Sequence, residues 1–529
     1  MSPAAAREDA SNKQLVLVAM IFAVAMMFID QTIVALAVPS LQDDLSLSAT
    51  GAQWIVNGYL LSLAALFAFG GKLADLLGHR RMVIVGVVGF AVCSALCGAT
   101  PTSGIGEAWI IVFRVLQGAF AAIMFPAALS IVVSAFPISE RGRALATFFG
   151  ITGALTAVGP LAGGYLTEWT WRSIFWINVP VAIVALVLTA RARPAEGVQR
   201  GRLDIRGAVL VSAAMGLAVL ALQQAGTWGW ADGRTVACLL AGVVLMIAFV
   251  RVELRTPEPL IRVRLFLDRG FGADNLVLLL MSAVFVPFFF SASVYAQASL
   301  DYSSTEAGLF LLVFFGGFAA AAQLGGRIVD KRGARPAIVL GCALSALGFY
   351  LWGTRITDLS LNDQWHWIAL SGAGLGLVLG PVSTDALNRA PGAGYGEVTG
   401  ITQTVRNLGA SLGLAIMGSL FLSENLDRVT TTLTGRGVPA AEAERIAHTV
   451  TSAGGGGAGG AASRAGSDAG AIIDAVRLDI ADSTQVVVWI MAGIMVAAFV
   501  VARLWIPRGR AAAVDDESSA ASEPMPTGV

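Results

Sequence analysis

Apolar and polar positions alternate along this chain in long blocks. Runs of about 20 apolar residues are separated by short polar segments that carry most of the charge. They fall at about 15–38, 52–71, 82–100, 108–134, 143–166, 173–190, 206–224, 235–250, 272–299, 307–327, 336–354, 365–387, 398–422 and 485–506, fourteen in all. A helix of that length spans a bilayer, and only helices or closed barrels satisfy their backbone groups in lipid. A barrel would show alternating segments of roughly ten residues, and the chain has no such pattern. The expected fold class is an all-α polytopic membrane protein.

Composition agrees. Hydrophobic residues make up 56% and charged residues 13% of 529, far from the roughly 25% charged of soluble domains. The formal net charge of zero points to no partner, and nucleic acid is not expected as one. Cys93, Cys97, Cys238 and Cys342 all lie in apolar runs, so no extracellular disulfide framework is implied. Cys93 and Cys97 share a helix face with no histidine nearby, and no metal is expected. The first run is too long for a cleavable signal and lacks a small-residue cleavage site.

The stretch GKLADLLGHRR at 71–81 changes the picture most, because a looser copy, GRIVDKRGARP, follows at 326–336. Gly71, Asp75, Gly78 and Arg80 recur as Gly326, Asp330, Gly333 and Arg335, each 255 residues further on, and Pro126 and Pro381 keep the same offset. The chain therefore reads as two related halves. Two six-helix halves joined by a connector alone would give an offset nearer about 200 residues. The excess matches the runs at 206–224 and 235–250. The expected plan is a tail at 1–14, a six-helix half at 15–190, basic loops and two inserted helices at 191–270, a second half at 271–506 and a tail at 507–529. A long Gly/Ala/Ser-rich outer loop at 423–484, flexible by composition, lies within the second half, with helical pieces such as PAAEAERIAHTV.

Charge sets the orientation. With the N-terminus inside, the inner segments hold 25 of the 35 Lys and Arg residues, and the short outer loops hold only Arg172, Arg234 and Arg355. The positive-inside rule then puts both termini in the cytoplasm.

Ionisable residues inside spans are costly and are functional candidates. Asp30 lies about nine residues before Pro39, and Arg114 about seven residues after Glu107. At 1.5 Å per residue they sit roughly 13 and 10 Å below the outer face, level enough to pair. Asn57 belongs to the same depth. A partly desolvated aspartate beside an arginine can take up and lose a proton, so Asp30 and Arg114 are candidates for proton coupling. A fixed ion pair that locks packing is the alternative. Asn57, Gln117 and Arg406 are candidates for a substrate cavity, and Glu397 for a solvated residue at its mouth. Asp274 and Asp385, near inner helix ends, carry less weight.

In the repeated loop, Gly71 permits close helix approach and Gly78 a tight reversal. Asp75 can meet helix N-termini or arginines across the boundary between halves. Gly71, Asp75, Gly78 and Arg80, with Asp330, Gly333 and Arg335, thus form a candidate conformational latch. In GPLAGG, Pro160 can kink its helix, while Gly159, Gly163 and Gly164 allow close packing. The aromatic cluster WTWRSIFWIN at 169–178 reads as an interfacial anchor.

Taken together these stretches resemble the major facilitator superfamily, and within it the fourteen-helix drug–proton antiporters, over roughly residues 15–506. FIDQTIVALAVP at 28–39 resembles the signature of the first helix, with Ala35 where asparagine is common. WIVNGYLL at 54–61, GKLADLLGHRR, RVLQGAFAA at 114–122, WRSIFWINVP at 171–180 and VRNLGASLG at 405–413 are similar to further motifs of that family. GPLAGG resembles the exporter motif, with Leu155 in place of a usual glycine.

The resemblance implies two six-helix halves plus two inserted helices, with Arg114 tied to proton coupling. It implies a proton-coupled exporter of amphipathic small molecules in a bacterial cytoplasmic membrane, working by alternating access. No nucleotide-binding loop is present, so the proton gradient rather than a cofactor is the expected energy source. One chain holds both halves and is expected to act as a monomer. An importing symporter or facilitator shares the scaffold. A membrane sensor or enzyme would want a soluble domain or clustered nucleophiles, which the sequence lacks.

Overall fold

The computed structural model describes residues 3–509 apart from 46, 48, 103, 195–202, 391–393, 437 and 453–468. Among these it is helical throughout, with no strand. The first half comprises α1 (Pro3–Leu45), α2 (Ala49–Leu77), α3 (His79–Gly98), α4 (Gly106–Ala135), α5 (Ile138–Trp169), the short α6 (Ser173–Trp176) and α7 (Asn178–Ala192). The inserted hairpin is α8 (Ile205–Trp228) and α9 (Gly233–Glu253). The second half holds α10 (Arg269–Ala298), α11 (Ser304–Arg332), α12 (Ala334–Gly353), α13 (Leu361–Asn388), α14 (Tyr395–Gly435), α15 (Ala440–Ser452) and α16 (Ala469–Trp505). Thirteen stretches of the described residues are long and apolar enough to cross a membrane. The remaining expected run, 143–166, lies in α5, which is not among the thirteen.

The internal repeat has a counterpart in packing. In the first half α4 packs on α2 and α3, and α1 on α5 and α7; in the second, α13 packs on α11 and α12, and α10 on α14 and α16. Pro126 lies inside α4 and Pro381 inside α13. Gly78 and Gly333 are the N-caps of α3 and α12, with φ of 97° and 84°. Only glycine takes up that backbone without strain, which is why the reversal recurs with its glycine. The two halves meet along two seams, α5 against α11 and α2 against α14. The hairpin packs through α8 on α2 and α14, while α9 is mostly exposed on the outside of the bundle.

Two expected segments differ. The tail at 1–14 is largely the start of α1, which begins at Pro3. The loop at 423–484 is mostly helical: α14 continues to Gly435, α15 follows, and α16 begins at Ala469. Val429, Leu433, Ala443, Ala447, Val476 and Ile480 are buried among these extensions. Arg428 sits 3.5 Å from Asp482, joining α14 to α16. Amphipathic helices that bury one stripe against each other hold shape without crossing a membrane. The Gly-rich centre of this segment, 453–468, and the tail from 510 lie outside the described residues.

Candidate functional site

Asp30, Arg114 and Gln117 form one buried cluster inside the first half, where α1, α2 and α4 meet. Arg114 Nη1 donates to Asp30 Oδ2 at 2.6 Å and to Gln117 Oε1 at 2.9 Å. Gln117 Nε2 donates to Asp30 Oδ1 at 3.1 Å, so both carboxylate oxygens are occupied. Arg114 Nε donates to the Ile55 carbonyl at 2.8 Å, and the guanidinium carbon lies 4.3 Å from the centre of the Tyr59 ring. All three side chains are at most 1% exposed. A dry acid–base pair of this kind needs nearly complete hydrogen bonding to persist, and α4 supplies two of its members one turn apart.

Gln117 therefore belongs to the charged cluster. Its amide is 0% exposed and both its ends are engaged, so in this conformation it braces the ion pair. Asn57 is half-buried, and among the described residues no hydrogen bond joins it to the cluster; the neighbouring Ile55 carbonyl makes that contact. Arg406 lies at the meeting of the halves, where its guanidinium carbon is 5.7 Å from the ring centre of Phe149 on α5. Its Nη1 donates to Gln403 Oε1 at 3.0 Å, while its Nε is buried without a partner. Phe318 of α11 approaches α5 at Gly153 and contacts Phe285, with ring centres 5.6 Å apart. Phe285 lies in the run VFVPFFF and Phe318 in FLLVFFGGF, aromatic stretches that carry no sequence mark of facing the other half.

The second constellation lies on the basic face, the one carrying the 71–81 loop and its copy. Asp75 accepts from the backbone N–H of Gly396 at 2.9 Å and of Glu397 at 2.8 Å, in the first turn of α14. His79 Nε2 lies 2.9 Å from the same carboxylate. Asp330 accepts from Gly142 at 3.0 Å and Arg143 at 3.3 Å, near the start of α5. Both acids thus bridge the halves, and for Asp75 the free first-turn N–H groups and the dipole of α14 favour the carboxylate there. A methyl group on Gly71 would overlap the Gly396 carbonyl, and one on Gly326 the Gly142 carbonyl. Arg141 adds bonds to the Tyr395 hydroxyl at 2.8 Å and Asn388 Oδ1 at 3.5 Å.

Not every latch candidate crosses the seam. Arg335 donates to the Arg503 carbonyl of α16, within its own half. Arg80 is half-buried, and its Nε is buried without a partner. Glu397 is not a solvated mouth residue. It is 1% exposed, accepts from the Arg262 N–H at 2.8 Å and lies 3.8 Å from Lys72 Nζ. It thereby ties the linker after the inserted hairpin to α14 and α2.

Gly159 faces α1, where a methyl group would strike Thr32, whose hydroxyl donates to the Thr156 carbonyl at 2.9 Å. Gly163 is buried. The side chain of Pro160 and the surroundings of Gly164 lie outside what is described, and α5 runs unbroken from Ile138 to Trp169. Of the aromatic cluster, Trp169 and Trp176 are exposed, but Trp171 is buried and donates to Asp44 at 2.8 Å. Arg172 binds the carbonyls of Gly98 and Thr100, so the segment is a packed corner more than an anchor. All four cysteines are free, and no metal-holding group occurs among the described residues.

A family model described as Major Facilitator Superfamily matches residues 20–414. The chain belongs to that superfamily. Among similar proteins is the tetracenomycin C resistance and export protein of Streptomyces glaucescens, 37% identical over 414 residues, covering 77% of this chain and 76% of that one. The cephamycin export protein CmcT of Amycolatopsis lactamdurans is 34% identical, covering 79% and 84%. Among solved structures, the proton:xylose symporter XylE superimposes with a TM-score of 0.62 at 14% identity, covering 97% and 99%. At that identity the likeness shows the fold. The chain is thus a multi-pass membrane protein of a transporter superfamily.

Proposed function

We propose that this chain is a proton-coupled antiporter that exports amphipathic small molecules, drugs or antibiotics, across a bacterial cytoplasmic membrane by alternating access. In this reading the basic face is cytoplasmic, both termini lie there, and one chain is the working unit. Relatives named as resistance and export proteins support the direction of transport.

The observation that carries the reading is Asp30, a fully buried carboxylate of α1 whose two oxygens are held by Arg114 and Gln117. Protonation of Asp30 neutralises it and frees Arg114, which also grips α2 at Ile55. The basic-face seams are closed in this structure, at Asp75 and Asp330 and along Gly71 and Gly326. In this reading a closed basic face belongs to the outward-facing state, the one in which Asp30 takes a proton from outside. Arg406, Phe149, Phe285 and Phe318 offer one cation and an aromatic surface where the halves meet, suited to a partly apolar cargo.

The test is flux in inverted vesicles under an imposed pH gradient, interior acidic. An exporter loads the vesicles with drug and stops when the gradient is collapsed. Loading that ignores the gradient, or efflux instead of loading, contradicts the reading.

A further inference from the structure

We propose that Asp274, Asp385 and Arg389 form a second proton-binding site, on the basic face of the second half, in which two carboxyl groups hold one proton while the seam is closed. That the proton exchanges with the cytoplasm rests on the orientation given above; the site itself does not.

Asp274 lies five residues into α10 and is 0% exposed; Asp385 lies in the last turn of α13 and is 4% exposed. Arg389, just beyond that turn, places its Nε 2.6 Å from Asp385 Oδ2 and 3.8 Å from Asp274 Oδ2. Arg389 reaches this position by passing over Gly270, where any larger side chain would collide with it.

The charge count decides the state of the site. Two carboxylates face one guanidinium, and neither oxygen of Asp274 accepts a hydrogen bond among the described residues. The charged groups acting on Asp274 are Asp385 and Arg389 from α13 and Asp268 from the turn before α10; α11, α14, α16 and the 3₁₀ turn Val263–Leu267 with its Arg264, also packed on α10, are not among them. Asp268 adds negative charge and is spent on capping α10 through the Phe271 N–H at 2.8 Å. An ionised carboxylate with no donor in a dry site is strongly disfavoured, and adjoining carboxyls that cannot both ionise share a proton. Asp274 therefore carries the proton as the neutral acid, Asp385 is the carboxylate, and Arg389 balances it. Release breaks the Asp274 O–H bond, passes the proton to water and leaves a second carboxylate on Arg389.

The site is wired to the seam. Asn388, next to Arg389, accepts from Arg141 of the first half at 3.5 Å. Parting the halves removes that contact and admits water to the last turn of α13. The repeat does not supply this site: 255 residues earlier, Asp385 and Arg389 correspond to Ser130 and Ser134. It is an addition to the second half alone.

Infrared difference spectra of the purified full chain in liposomes, between acidic and alkaline buffer, report protonated carboxyl groups directly. The expected result is a protonated-carboxyl band present in wild type and in Asp30→Asn and lost in Asp274→Asn. Retention of every such band in Asp274→Asn overturns the proposal and leaves the Asp30 reading untouched. If Asp30→Asn keeps coupled export, that reading falls, while this band still answers for Asp274. Should Asp274→Asn fail to insert, Asp385→Asn serves: Arg389 then has Asp274 alone to ionise, and the band again disappears.

Discussion

Asp75 and Asp330 hold the same place in the two halves, and each carboxylate takes two consecutive backbone N–H groups from a helix of the opposite half. The exchange is reciprocal: the first half's acid closes on α14, the second half's on α5. Closure of the basic face is therefore fastened at two points: Asp75 takes first-turn donors of α14, and Asp330 takes donors five and six residues into α5.

Removing either acid should loosen that face. A capping carboxylate is worth about 0.5–2 kcal/mol, so Asp75→Ala and Asp330→Ala should each shift the closed-to-open ratio by up to about thirtyfold. The measurement is labelling of Ala146→Cys by a membrane-impermeant thiol reagent, with Cys93, Cys97, Cys238 and Cys342 replaced. Ala146 lies against Gly326 and Gly380 in the closed seam. Faster labelling in both variants is expected; unchanged rates would show that the carboxylates do not hold the seam.

Gly71→Val and Gly326→Val should act in the same direction by sterics instead of charge. Each side chain would enter the carbonyl of the facing helix, and closure would then require the seam to part by more than a methyl radius. Export should fall at least about tenfold, the equivalent of about 1.4 kcal/mol, while Ala146→Cys labels faster. Normal export by either variant would show that these helices need not close so tightly.

Asp30→Asn should abolish gradient-driven export while leaving the chain inserted. The amide keeps the size of the carboxyl but cannot shuttle a proton. The check pairs vesicle loading under a pH gradient with substrate exchange at equal pH. Loss of the first and survival of the second is the expected outcome, and unaltered coupled loading would remove Asp30 from the mechanism.

Gln117→Leu keeps volume and deletes both hydrogen bonds that brace the ion pair. Bonds to charged groups contribute roughly 1.5–3 kcal/mol, and Asp30 Oδ1 would be left without a donor. A clear fall in thermal stability in detergent is expected, together with weaker export. Wild-type stability would mean that the cluster repacks around Arg114 alone.

Much of this architecture was readable because it repeats or because it is costly. The offset of 255 residues exposed two halves, and the charges of Asp30 and Arg114 stood out against apolar runs. Gln117 follows Arg114 by three residues, a spacing that puts both on one helix face and makes its place beside the charge readable. Asp274 and Asp385 are 111 residues apart, and only the packing of α10 on α13 brings them together. The outer extension of α14 lies beyond the apolar run 398–422, because Ser, Thr and charged residues enter the sequence there. Yet Leu422, Leu426, Val429 and Leu433 keep helical spacing, and Val429 and Leu433 are buried. The partner of Glu397 could not be foreseen, since it is a backbone N–H in a linker from the inserted hairpin.

One helix touches both constellations. α2 offers its Ile55 carbonyl to Arg114 and, twenty residues on, its Asp75 carboxylate to α14. Those ends lie about 30 Å apart along a helix axis, too far for one charge to sense the other through solvent. If the hold on Ile55 loosens and α2 shifts as a rigid rod, that shift reaches Asp75 as leverage, without any wire of side chains between them.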